Sequence, residues 1–173
     1  GVSLLEGASI DSVAGTQGVL FGSGASATTD LVRNASIGAI TSASGFIRFD
    51  GDLALDPGAS VGSGTGLTAD EITFAGSVIL GSGASLAGGS SVVASSGSLQ
   101  FLGGITMGNN AVLGNLGASG VLSGSVLVNG LTAGSSGTIG AIAGFASVTF
   151  TDDLILGSGT ELVGLGSLGL LAL

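Results

Sequence analysis

The chain has 173 residues, enough for one domain with a buried core, and it contains 36 Gly, a single Pro and no Cys, His, Trp or Tyr. Eleven acids against Arg33 and Arg48 give a net charge of -9, which argues against nucleic acid and an anionic membrane surface as partners. The missing Cys excludes disulfides, zinc–thiolate centres and thiol catalysis, and a hydrophobic fraction of 45% argues against a disordered Gly/Ser chain.

No apolar run approaches the roughly 18–20 residues of a membrane-spanning helix. With no N-terminal Met and no signal-like segment, the sequence reads as a processed chain or a fragment. Its hydrophobicity comes instead in pulses of three to five residues separated by Gly and Ser. Taken in order, each pulse leads into a small-residue step and then an aliphatic. The step is "GASI" ending at Ile10, "NASI" at Ile37, "GASV" at Val61, "GASL" at Leu86, "NAVL" at Leu113, "GTI" at Ile139 and "GTEL" at Leu162. Successive steps are 27, 24, 25, 27, 26 and 23 residues apart. A period in the twenties marks a solenoid with one supersecondary unit per repeat.

Inside each unit the period is two. Ile72, Phe74, Val78, Leu80, Ala84 and Leu86 share one parity, which predicts one set of side chains inside and the other outside. The pulses are too short for helices, and Gly and Ser between them supply corner conformations. The expected fold is all-β: a parallel β-solenoid of about seven coils of roughly 25 residues, three or four short strands to a coil, in a single domain spanning 1–173. Phe49, Phe74, Phe101 and Phe150, with Val128 in the remaining slot, fall at one position and predict a core column of stacked rings. The outward positions predicted beside them are Arg48, Thr73, Gln100, Leu127 and Thr149, and Ala54, Ile79, Thr106, Thr132 and Ile155, with Leu102 also outside.

Catalytic chemistry finds few parts. Ser is plentiful, but without His, Cys or Lys no obvious base activates it, so no enzyme and no cofactor are expected. Asp50 and Asp52 at one corner, and Asp152 and Asp153 at the same corner four coils on, are weak calcium candidates. Each pair offers two carboxylates where calcium takes six or more oxygens. "GSGTG" (62–66) lacks the Lys-Ser/Thr of a phosphate loop, and Asn34 of the sequon "NAS" occupies the Gly slot of the repeat, which favours a corner role.

These units resemble the loose "aliphatic-x-Phe-x-Gly…Leu-x-Leu…Gly-Ala-x-Val" repeats of large secreted bacterial proteins, the passenger domains of autotransporters and filamentous-haemagglutinin-like adhesins. The resemblance covers nearly the whole chain. It implies a right-handed β-helix, an extracellular or cell-surface location, and a role in adhesion, biofilm or extracellular fibres. Two functions are expected from it: a structural subunit of an extracellular filament, or a stalk segment of a larger secreted adhesin.

The ends favour the first. Val2 and Leu4 match Leu53 and Leu55, so the sequence begins at the second strand of a unit, whereas Leu171 and Leu173 fall where the first strand of a next unit is due. Head-to-tail stacking of copies would therefore complete one coil from two chains. The expected self-assembly residues are Val2, Leu4, Ile10, Leu168, Leu170, Leu171 and Leu173, at ends without a charged or helical cap. The expected partner is the chain itself, with lateral bundling of the resulting filaments.

Overall fold

The computed structural model describes residues 2–22, 28–31, 33–95, 97–117, 125–143, 145, 147–163 and 170–172. These residues form short strands and no helix. The strands belong to three sheets, which we call A, B and C, and all pairings within them are parallel. Sheet A stacks Val2–Leu4, Thr29–Leu31, Leu53–Leu55, Val78–Leu80, Ile105–Met107, Leu131–Ala133 and Leu154–Leu156. Sheet C stacks Gly18–Phe21, Phe46–Phe49, Glu71–Phe74, Leu99–Phe101, Ser125–Val128, Ser147–Phe150 and Leu170–Ala172. Sheet B lies between them in chain order, beginning with Ser9–Gly15 and ending with Glu161–Leu162. The chain thus runs A, B, C at every level, and the coils stack as a β-solenoid.

Alternation within each strand produces the core. Val78 and Leu80 are buried while Ile79 between them is 41% exposed, and Ile105–Thr106–Met107 repeats the pattern one level on. The seven small-residue steps align in one ladder: Ile10, Ile37, Val61, Leu86, Leu113, Ile139 and Leu162 are successive partners in sheet B. Ile72, Phe74, Val78, Leu80, Ala84 and Leu86 are all buried. Their apolar surface leaves water and supplies the main driving force for stacking.

The corner from A to B never changes length. From the last inward residue of A to the first of B is six positions at every level, as in Leu4 to Ile10, Leu55 to Val61 and Leu156 to Leu162. One residue of each corner takes a left-handed conformation: Gly7, Asn34, Gly58, Gly83, Asn110, Ser136 and Gly159, with φ between 56° and 76°. Glycine reaches this region without a Cβ penalty, and Asn tolerates it. Ser136, at φ 57° on an exposed corner, is the costliest of the seven. Ser136→Gly should raise the unfolding free energy by about 0.5–1 kcal/mol, and Ser136→Val should lower it, read by chemical denaturation.

The corner from B to C absorbs the irregularity. Sheet B bends after its first inward residue and presents a second inward column of Val13, Ile40, Leu67, Val92, Leu116 and Ile142. The interval is three residues in four coils but six from Val61 to Leu67 and from Leu86 to Val92. The expected three or four strands per coil resolve accordingly: three faces, with the B strand split or bulged where the chain bends.

The expected Phe column is present and longer by one. Phe21, Phe49, Phe74, Phe101, Val128 and Phe150 are successive partners in sheet C, all buried. Neighbouring rings from Phe21 to Phe101 lie 4.5, 5.0 and 4.8 Å apart and within 9° of parallel, at stacking distance.

Candidate assembly site

Two backbone hydrogen bonds recur at every one of the A–B corners that faces a following level. The left-handed residue donates its N–H forward to a carbonyl of the next level: Gly7 to Arg33, Asn34 to Pro57, Gly58 to Ser82, Gly83 to Asn109, Asn110 to Ser135 and Ser136 to Ser158, at 2.9–3.3 Å. Two residues further on, the first residue of the next B strand donates back. Ser36 donates to Ala8, Ser60 to Ala35, Ser85 to Ala59, Val112 to Ala84, Thr138 to Ala111 and Glu161 to Gly137, at 2.9–3.0 Å. This pair joins each level to the next regardless of coil length.

Side chains add to the code. Asp52 Oδ1 accepts from the Ser77 N–H at 2.7 Å, Asn109 Oδ1 from Ser135 N–H at 2.9 Å, and Asn115 Oδ1 from Ala141 N–H at 2.9 Å. Each Asx side chain reaches forward to the backbone one level on. Asp70 binds in both directions, accepting from the Gly45 N–H and the Ser95 hydroxyl.

The calcium candidates sit in corner roles. Asp50 pairs with Arg48, Asp52 caps Ser77, and Asp152 Oδ1 accepts from the Asp153 N–H at 2.9 Å. The two pairs are four levels apart on the C–A edge, roughly 19 Å along the axis. Among the described residues, no three Asp, Glu, His or Cys side chains converge. A shallow groove beside Asp152 and Asp153 is lined by Leu102, Thr106, Asn129 and Thr132. Within it Asn129 donates to the Leu102 carbonyl and accepts from the Thr151 hydroxyl. The turn at Gly62–Gly66 carries three glycines at positive φ, and Ser90 closes it by donating to the Gly64 carbonyl at 2.5 Å. Asn34 is the left-handed residue of its corner.

At the two end levels the inward columns come to the surface. Val2, Leu4 and Ile10 are only partly buried and pack against the first full coil. At the other end Leu154 and Leu162 are partly buried, and Leu156 is 42% exposed although Leu31, Leu55, Leu80, Met107 and Ala133 in its column are buried. The backbone of Leu170 and Leu171 pairs with Ser147 and Val148, which places this strand in sheet C as the spacing predicts. Leu168 and Leu173 lie outside the described residues.

No family model, curated protein or solved structure matches this chain.

Two features of that geometry escape a reading by repeats. The backbone code has no side-chain signature beyond the left-handed position. The other is a charge gap: from Ile72 to Thr151 the sequence holds no Asp, Glu, Lys or Arg. Once the topology is known, this gap becomes a belt around the fourth to sixth levels, uncharged on all three faces. It exposes Ile79 and Leu102 among Thr, Asn and Ser.

Proposed function

We propose that the chain is a structural subunit of an extracellular bacterial filament, extended along the solenoid axis by copies of itself. The observation that supports this reading is the sameness of the level boundaries. One hydrogen-bond pair and one set of apolar columns recur along the axis from each described level to the next. An exposed parallel edge is a template for a further strand, and a contact between unlike ends propagates without closing. The uncharged belt supports lateral bundling of such filaments, since two copies of a chain of net charge -9 meet there without opposing like charges. The Gly/Ser-rich repeat supports the extracellular assignment through its likeness to secreted bacterial β-solenoids.

Negative-stain microscopy of the purified 173-residue chain tests the reading. The expected result is unbranched filaments one solenoid wide. Monodisperse particles at every concentration, together with a native polypeptide of much greater mass, would replace it with the stalk of a larger adhesin.

A further inference from the structure

We propose that the Asn129–Gly130 peptide is a site of self-modification, where the Asn129 amide is lost through a cyclic imide when this corner opens. The turn from sheet C into sheet A holds three residues after Phe49, Phe74, Phe101 and Phe150, but only Asn129 and Gly130 after Val128. Both backbone bonds of the longer turns persist in the short one. The Asn129 N–H donates back to the Phe101 carbonyl at 3.1 Å, as Leu102 does to Phe74. The Ile105 N–H donates forward to the Gly130 carbonyl at 2.7 Å, as Val78 does to Gly104. The Asn129 side chain is added to these. Its Nδ2 donates to the Leu102 carbonyl in the preceding turn, and its Oδ1 accepts from the Thr151 hydroxyl in the following one at 2.9 Å. One amide thus ties three successive turns, donating in one direction and accepting in the other. A carboxylate can accept from Thr151 but has no N–H for Leu102.

Of the five asparagines, Asn129 is the one followed by glycine; Asn34, Asn109, Asn110 and Asn115 precede residues with a Cβ. Glycine leaves its own peptide nitrogen least hindered for attack on the preceding side chain. Once hydroxide has taken its proton, the Gly130 nitrogen bonds to Asn129 Cγ. The Cγ–Nδ2 bond breaks, and Nδ2 leaves as ammonia with a proton from water. Water then adds to one imide carbonyl and opens the ring, giving aspartate or, with the main chain rerouted through Cγ, isoaspartate. Amide and water become acid and ammonia, and nothing is oxidised. In the closed corner, turning Cγ onto the Gly130 nitrogen costs both side-chain bonds, while Ile105 holds the Gly130 carbonyl. The reaction therefore waits on local opening. It is also one-way. The product has no donor for the Leu102 carbonyl, and it adds a carboxylate to the groove that already holds Asp152 and Asp153. That charge falls in the belt from Ile72 to Thr151, which otherwise has none.

The charge gap supplies the readout. A protease that cuts before aspartate leaves segment 70–151 whole, because no Asp lies between Asp70 and Asp152. Each asparagine converted to aspartate adds a cut at its own position. After incubation at mildly alkaline pH, then denaturation and digestion, the chain should gain a cut before residue 129 ahead of any at 109, 110 or 115. Isoaspartate should appear beside it as an uncut segment of shifted mass. The cut should accumulate faster in urea than in native buffer. Gly130→Ala should lose the cut and still fold, since a Cβ at Gly130 meets nothing closer than 3.4 Å. Asn129→Asp, the product installed directly, should unfold at a lower urea concentration than the parent chain. A first cut at another asparagine, or a cut undiminished in Gly130→Ala, would overturn the site. Equal rates in native buffer and urea would overturn the gating by the corner. A parental urea midpoint for Asn129→Asp would overturn the one-way step. Should that variant fail to fold, the parent chain and Gly130→Ala still decide the site and its gating.

Discussion

Phe101→Ala should lower the unfolding free energy by about 3–5 kcal/mol, as truncation of a large core side chain does. The ring is fully buried and stacks on Phe74 at 4.8 Å and 1°, with Val128 as its partner on the other side. Its loss leaves a void in the middle of a narrow core, where the three sheets are tied to their neighbouring levels and have little freedom to collapse. Gln100 is the adjacent control. It sits on the outward face of the same strand, and its amide donates to Ser98 Oγ at 3.1 Å. Gln100→Ala should cost less than about 0.5 kcal/mol. Equal denaturation midpoints for the two variants would mean that the inside and outside of sheet C have been exchanged.

The second large effect is expected at Gly66. Its φ of 85° is unfavourable for any residue with a Cβ, and a Cβ built there would press directly on the Ser91 backbone of the next level. Positive φ costs about 1–2 kcal/mol, and overpacking against backbone adds about 1–3 kcal/mol. Gly66→Ala should therefore destabilise by about 2–5 kcal/mol. Gly64, two residues earlier in the same turn, has φ 90° but open space around its Cα. Gly64→Ala should pay only the conformational part, about 1–2 kcal/mol. The difference between the two, measured by urea unfolding, isolates the close approach of level four to level three. A Gly64→Ala variant as unstable as Gly66→Ala would show that strain alone sets the cost.

What could be read from the sequence follows from which corner is rigid. The A–B corner holds six positions at every level and carries its left-handed residue at a fixed distance before the aliphatic. That is why "GAS" followed by Ile, Val or Leu kept its phase through the whole chain. Sheets A and C were legible for a related reason, since Phe49 to Leu55, Phe74 to Leu80 and Phe101 to Met107 are each six positions. Phe21 was missed because ten positions separate it from Leu31, which pushed its ring out of the expected column. The second inward column of sheet B was missed because a bend puts Ile40 and Leu116 an odd number of residues after Ile37 and Leu113. Alternation cannot see across a bend. At the assembly site, the apolar residues Val2, Leu4 and Ile10 were visible as matches to the repeat. The bonds that specify register were not, since backbone N–H and C=O groups are common to all residues.

Stacking parallel strands across the axis points nearly every backbone hydrogen bond along it. A pull on the two ends therefore loads all the bonds of one boundary side by side, and the boundaries themselves in series. Such a rod gives way at its weakest boundary, and the uneven sheet B identifies which one. Among the described residues, sheet B pairs Thr138–Ile139 with Glu161–Leu162 between the sixth and seventh levels, whereas Ser85–Ala94 and Val112–Gly117 pair over a longer run between the fourth and fifth. Under tension the last coil should peel away first, at a force below that needed to part the middle of the solenoid.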